Sequence, residues 1–194
     1  MKTKKINTVN LALMGIFTAL IIILTFTPIG MITVGTLFTI TTVHIPVIIG
    51  GIVLGPRFGT ALGAIMGFAC EIRAAVFPVS ITDPLFINPI ISVIPRILLG
   101  FVAAGVFYLL AKYFQKTVGK VFAIGLSALL GTATNTIFVL GALAIIYPVK
   151  SGLSWAFASI LFTNFLFEAL AAIILSVPIS LALFYTQKRL VKYN

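Results

Sequence analysis

Six long apolar segments, joined by short connections, constrain the fold of this chain more than any other feature of its sequence. An α-helix needs about 20 apolar residues to cross the roughly 30 Å of hydrocarbon in a bilayer. Six helices of that length and their loops account for the 194 residues. The sequence therefore predicts an all-α integral membrane protein, a single domain over 1–194 with six transmembrane helices in one bundle. The predicted helices cover residues 9–27, a segment ending at 54, 58–77, 90–111, 121–147 and 154–185.

The beginning of the second helix can be placed in two ways. Residues 31–42 are rich in Thr and Gly and carry no charge. They form either an outer loop over the bundle or the first part of this helix. In both cases the helix continues through His44 and Pro46 to Leu54 and ends at a tight turn over 55–57.

The charged residues indicate how the chain is oriented in the membrane. Only 8% of the residues are charged, while 61% are hydrophobic and the mean hydropathy is +1.25. The net charge of +10 is confined to short clusters between apolar segments, which argues against a nucleic-acid-binding face and is typical of cytoplasmic anchors. We therefore expect both termini to be cytoplasmic. With six spans, ten of the thirteen basic residues share that side: Lys2, Lys4, Lys5, Arg57, Lys112, Lys116, Lys120, Lys188, Arg189 and Lys192.

The sequence contains no recognisable source of energy and no enzyme signature. The phosphate-binding pattern G-x-x-x-x-G-K-[ST] does not occur, because Gly119-Lys120 lacks the upstream Gly and the following Ser or Thr. One histidine and three acidic residues do not supply an H-E-x-x-H metal site or a Ser/His/Asp triad. We expect no enzymatic activity, no cofactor and no metal site. Any active transport must be driven by partner proteins or by an ion gradient.

Glu168 and Asn164 are the first candidates for a binding site. Glu168 lies near the middle of the last predicted helix, and Asn164 precedes it by four residues, hence on the same helical face. A carboxylate at bilayer depth costs several kcal/mol unless it is paired, protonated or facing water. This polar stripe must therefore face the bundle interior. It forms either an interhelical polar clamp or part of a ligand site.

Arg96 and Asn135 are two further polar residues within predicted helices. Arg96 follows Pro95 near the outer end of helix four, and its guanidinium needs an anion. Glu168, Glu71 or a ligand carboxylate could supply that anion, since Arg binds such groups bidentately. Gly131 lies one turn from Asn135 and leaves space on that face for either a ligand or another helix backbone.

Four residues near the outer ends of helices complete the set of candidates for ligand binding. Glu71 and Arg73 lie at the end of helix three, where they pair with each other, reach the interface or contact a ligand. Tyr147 and Trp155 flank the outer loop around Lys150. Aromatic rings in such places are usually interfacial anchors, and the alternative is a ring that closes over a ligand.

Small residues mark two faces on which helices can pack closely. Gly15 and Ala19 have small-xxx-small spacing on helix one, and Gly59, Gly63 and Gly67 form a ridge on helix three. In lipid, such ridges allow helix backbones to approach each other. Glu71 extends the ridge on helix three, which we therefore expect to face protein. The patch on helix one has no polar extension and is the better candidate for docking a partner.

Taken together, four segments resemble the substrate-binding S component of energy-coupling factor (ECF) transporters, and pantothenate-type members in particular. They are HIPVIIGGIVLGPRFG over 44–59, ISVIPRILLG over 91–100, GTATNT over 131–136, and Asn164 with Glu168. The resemblance covers essentially the whole chain. It implies a six-helix subunit of a bacterial cell membrane that captures a vitamin at its outer face.

The resemblance also implies partners, namely a membrane coupling subunit and two cytoplasmic ATPases. Gly15 and Ala19 match the small residues that family members carry on helix one for docking, with Gly replacing one usual Ala. The residues also allow two other hypotheses about function. A stand-alone secondary carrier or channel would use an ion gradient, with Glu168 as its proton or cation site. A structural scaffold would use Arg96, Asn135, Asn164 and Glu168 for stability alone.

Overall fold

The computed structural model describes residues 8–34, 38–78, 83–114, 116–147 and 153–193. Within these ranges the chain forms seven α-helices, one short 3₁₀-helix and one β-hairpin. In chain order the elements are α1 (Thr8–Phe26), β1 (Met31–Val34), β2 (Phe38–Thr41), α2 (His44–Leu54), α3 (Pro56–Val76), the 3₁₀-helix (Asp83–Ile87), α4 (Pro89–Ser92), α5 (Ile94–Ala111), α6 (Thr117–Ile146) and α7 (Leu153–Tyr193).

The predicted bundle of apolar membrane helices is confirmed. Five helical stretches in the described ranges are long and apolar enough to cross a bilayer: Thr8–Phe26, Pro56–Val76, Pro89–Ala111, Thr117–Ile146 and Thr163–Thr186. One further apolar helix, α2, is shorter and has 11 residues. At 1.5 Å per residue it extends about 16 Å, roughly half of the hydrocarbon thickness. The six predicted helices are thus five long ones and one short one.

The short helix α2 lies at the centre of the bundle. All 11 of its residues are buried, and it packs against α1, α3, α5, α6 and α7. Gly51 allows the backbones of α3 and α5 to approach α2, because a Cβ there would lie 3.2 Å from the Cα of Gly59 and 3.3 Å from the carbonyl oxygen of Gly100. The other helices therefore shield α2 from lipid.

Residues before α2 form a hairpin and not a helical turn. Strands β1 and β2 are antiparallel, with Met31 opposite Thr41 and Val34 opposite Phe38. Of the two placements left open for 31–42, the start of the helix is therefore wrong, because 31–34 and 38–41 are strands and α2 begins at His44. Both the backbone N–H and the hydroxyl of Thr41 donate to Glu168 Oε1, each at 2.8 Å. This carboxylate attaches the hairpin to α7.

The glycine ridge on α3 faces protein, as predicted, and it packs against α5. A Cβ at Gly59 would lie 2.6 Å from the carbonyl oxygen of Gly100, and one at Gly67 would lie 2.6 Å from Val93 Cα. A Cβ at Gly63 would collide with the carbonyl oxygen of Arg96. The two backbones are thus too close for any larger residue, and this contact sets the position of the first turn of α5.

Replacing a glycine of this contact should destabilise the protein. In Gly100→Ala, the new methyl group meets the carbonyl of Gly59, and overpacking of this kind costs about 1–3 kcal/mol. Gly105→Ala is the matched control on the same helix, because a Cβ there meets nothing within 4 Å; its stability should be unchanged or higher by up to about 1 kcal/mol. Thermal unfolding in detergent can be followed with a thiol-reactive dye, since the single cysteine, Cys70, is buried. Equal unfolding temperatures for the two variants would contradict the packing described.

The attachment of the hairpin can be tested at Thr41. Thr41→Val removes one of two donors to the Glu168 carboxylate and should lower the free energy of unfolding by about 1.5–3 kcal/mol, the value of a hydrogen bond to a charged group. Thr41→Ser keeps the hydroxyl and should have a smaller effect. Thr134→Val is the control, because that hydroxyl donates only to its own helix, at Leu130 O. The same thiol assay measures all three variants, and a Thr41→Val protein as stable as the parent would refute the attachment.

Candidate functional site

A cleft opens at the end of the bundle where the hairpin, the 3₁₀-helix and the beginning of α5 meet α6 and α7. Its cavity volume is about 100 Å³. Its lining combines one basic, one acidic and several amide or hydroxyl side chains with an apolar wall. The lining residues are Thr41, Phe86, Arg96, Asn135, Thr136, Val139, Leu140, Asn164, Phe165 and Glu168.

Pro95 explains how Arg96 is held in this cleft. Proline has no N–H, so the carbonyl of Ile91, four residues earlier, lacks its helical donor. Arg96 Nη1 donates to that carbonyl oxygen at 2.6 Å. On its other side the guanidinium lies over the Phe86 ring, with the central carbon 5.3 Å from the ring centroid, which is a cation–π distance. Two contacts therefore fix the orientation of the guanidinium.

Arg96 has no ion pair within the described part of the chain. It is only 8% exposed, and no carboxylate lies within 4.0 Å of its nitrogens. The two partners considered from the sequence, Glu168 and Glu71, are both described, and neither pairs with it. The Nε atom is buried and has no hydrogen-bond partner. A buried guanidinium with a free donor can form hydrogen bonds to an anion.

Glu168 and Asn164 line the cleft from α7, one turn apart, on the shared face that their spacing predicted. Glu168 is 7% exposed, and its Oε1 atom already accepts two hydrogen bonds from Thr41. Glu168 therefore joins α7 to strand β2 of the hairpin, and not to another helix as an interhelical clamp would. Because Glu168 also lines the cleft, it is placed to contact a ligand as well.

Asn135 and Thr136 line the cleft from α6. The Oδ1 atom of Asn135 is buried without a hydrogen-bond partner. Gly131, one turn earlier, is packed against α5, because a Cβ there would lie 2.8 Å from Ala103 Cβ. The space beside Gly131 is thus filled by α5. The side chain of Asn135 lines the cleft, and its amide oxygen can still accept a hydrogen bond.

Three other predicted ligand-binding residues, Glu71, Arg73 and Tyr147, are not among those that line the cleft. Arg73 forms an ion pair with Asp83, with Nη2 2.6 Å from Oδ1, and Glu71 has a buried Oε2 atom without a hydrogen-bond partner. Of the alternatives for these two residues, the Glu71–Arg73 pair does not form, because Arg73 pairs with Asp83. Tyr147, at the end of α6, is 41% exposed. Trp155 lies in α7, but its side chain is outside the described residues.

Several lining residues could not be found by looking for polar groups in apolar segments. Val139 lies one helical turn beyond Asn135, so the helical period contains a signal for it. Thr41 and Phe86 lie in connections between helices, where the sequence has no period to follow. Their place in the cleft depends on how the hairpin and the 3₁₀-helix fold back over the bundle.

Comparison with known proteins agrees with this architecture. Residues 9–180 match the family model of the ECF transporter, substrate-specific component. Over 159 residues the chain is 34% identical to the pantothenic acid transporter PanT of Lactococcus lactis subsp. cremoris, covering 74% of this chain and 76% of that protein. It is 31% identical over 159 residues to the pantothenate transporter PanT of Leuconostoc mesenteroides subsp. mesenteroides, covering 77% of this chain and 76% of that protein.

The family match covers three of the long apolar helices completely and most of the other two, and both relatives are bacterial transporters. The chain is therefore a multi-pass bacterial membrane protein and not an enzyme. It belongs to the family of substrate-specific components of ECF transporters.

Proposed function

We propose that this protein binds pantothenate in the cleft around Arg96 and delivers it to an ATP-driven importer. The observation that carries the proposal is the buried, unpaired guanidinium of Arg96, whose Nε atom has no partner. Pantothenate has one carboxylate, and both relatives described above are named for its transport. In this proposal the ligand carboxylate supplies the anion that the bundle itself does not provide.

The rest of the cleft suits the other groups of this vitamin. Pantothenate has two hydroxyl groups and an amide N–H, which are donors for the unpartnered Asn135 Oδ1 and for Glu168. Its geminal methyl groups can lie against the apolar wall, which includes Val139, Leu140 and Phe165. The cavity is smaller than the roughly 300 Å³ at the lower end of typical ligand sites. We therefore expect the cleft to widen when pantothenate binds.

Transport requires an energy source that this sequence does not contain. We propose that a membrane coupling subunit and two cytoplasmic ATPases supply it. Gly15 and Ala19 are both exposed on α1, and a Cβ at Gly15 would meet nothing within 4 Å. Helix α1 packs on α2 and α3, which leaves this small-residue face free for the backbone of another membrane helix.

Arg96→Gln should weaken pantothenate binding selectively. Losing a charged hydrogen-bond partner costs about 1.5–3 kcal/mol, which corresponds to roughly 10- to 150-fold in Kd. The primary-alcohol analogue of pantothenate has CH₂OH in place of the carboxylate. The Arg96→Gln substitution should lower the affinity for this analogue much less. Calorimetry or equilibrium dialysis with the purified protein measures both constants.

The control for this experiment is Arg57→Gln, which removes an exposed arginine in the first turn of α3. Its affinity for both ligands should equal that of the parent. Equal losses for pantothenate and its alcohol analogue in the Arg96→Gln protein would remove Arg96 from carboxylate recognition. A parent protein that binds no pantothenate would overturn the proposed function altogether.

Docking can be tested at Gly15. Gly15→Leu adds a bulky side chain to the small-residue face of α1, at a position where the Cβ meets nothing within 4 Å, so pantothenate binding in detergent should be unchanged. Co-purification with the coupling subunit and ATPases, and ATP-dependent uptake into proteoliposomes, should fall sharply. Gly141→Leu is the control, because a Cβ there also meets nothing within 4 Å, but on α6.

The same proteoliposomes distinguish this proposal from a stand-alone carrier. Without the partner subunits, an ion gradient should drive no pantothenate uptake. Gradient-driven uptake by this protein alone would contradict the role of a binding subunit, and Glu168 would then become the expected site for the coupled ion.

A further inference from the structure

Both contacts that orient Arg96 come from one short segment, residues 83–92. The Phe86 ring belongs to the 3₁₀-helix, and the Ile91 carbonyl belongs to α4. The ring lies 5.3 Å from the guanidinium carbon, and the carbonyl oxygen lies 2.6 Å from Nη1. The orientation of the free Nε edge therefore depends on where this segment lies, and not on α5 alone.

The segment is in turn attached to α3 at two points. At its beginning, Asp83 Oδ1 lies 2.6 Å from Arg73 Nη2, and the two side chains are only 7% and 12% exposed. At its end, the Ser92 hydroxyl donates to the carbonyl of Gly67 at 3.1 Å. Because side chains at i and i+3 of a 3₁₀-helix eclipse each other, Asp83 and Phe86 lie along the same side of the helix. Holding Asp83 thus holds the ring three residues later.

We propose that the Arg73–Asp83 ion pair positions Arg96 for its ligand, by fixing the 3₁₀-helix so that Phe86 stays over the guanidinium. Arg73 and Asp83 are then positioning residues that do not touch the ligand at Arg96. This inference rests on the proposed function, since the effect is read through the carboxylate of pantothenate. It assigns a role to Arg73 that neither the lining of the cleft nor the sequence reveals.

The central test compares two ligands in the Asp83→Asn protein, which keeps the shape of the side chain but removes its charge. If Arg96 loses its orientation, the affinity for pantothenate should fall about tenfold, a coupling typical of residues in one network. The primary-alcohol analogue makes no ion pair with Arg96, so its affinity should fall by less than about threefold. A general loss of stability would lower both affinities equally, so the ratio of the two Kd values isolates positioning.

Glu71→Gln is the matched control. It removes a carboxylate from the same end of α3, but Glu71 neither pairs with Arg73 nor lines the cleft. The ratio of the two Kd values should equal that of the parent. Arg73→Gln breaks the pair from its other side and should change the ratio as Asp83→Asn does.

Phe86→Leu provides a second route if loss of the buried charge prevents folding. It removes the ring that the ion pair is proposed to hold, leaves the ion pair intact, and should shift the ratio in the same direction. Combining it with Asp83→Asn should add little, because both changes act through one contact.

Three outcomes separate the hypotheses. A parent protein that does not bind pantothenate overturns the proposed function and this inference together. In the second outcome, the parent binds pantothenate, and Arg96→Gln weakens the binding of pantothenate more than that of the alcohol analogue. If Asp83→Asn and Phe86→Leu then leave the ratio of the two Kd values unchanged, only the positioning role is wrong. A shifted ratio in both variants, with Glu71→Gln unchanged, supports it.

Discussion

The cost of burying a charge in an apolar bundle organises the polar residues of this protein. Arg73 offsets that cost through its ion pair with Asp83. Glu168 offsets part of it by accepting two hydrogen bonds from Thr41. In the part of the chain that the structure describes, Arg96 contacts a carbonyl oxygen and an aromatic ring, neither of which neutralises its charge. Of these three charged groups, Arg96 is the one that we propose to bind an anion.

Close packing of helix backbones makes room for this arrangement at one end of the bundle. Glycines on α2, α3 and α5 bring three backbones together, so the interior is solid around α2, all of whose residues are buried. Because α2 has only 11 residues, it does not extend to both ends of the longer helices. The hairpin and the segment 83–92 occupy the end where α2 begins, and the cleft lies among them and the ends of α5, α6 and α7.

Much of this could be predicted from apolar runs and helical spacing. Periodicity predicts the helices, because residues three or four apart lie on the same helical face. It also predicts the ridge of Gly59, Gly63 and Gly67 and the shared face of Asn164 and Glu168. The hairpin and the ion pair between Arg73 and Asp83 could not be predicted from helical periodicity. Asp83 lies ten residues from Arg73 in an irregular connection, where no repeat relates sequence distance to distance in space.

By itself, the sequence determined that the chain lies in a membrane and which of its polar residues must face inward. Those conclusions require only the free energy of transfer of each side chain and the period of the helix. Tertiary structure alone decided which inward-facing groups are paired: Thr41 with Glu168, Asp83 with Arg73, and no carboxylate with Arg96. Pairing depends on contacts between segments far apart in the chain, and these are set by how the helices and connections pack together.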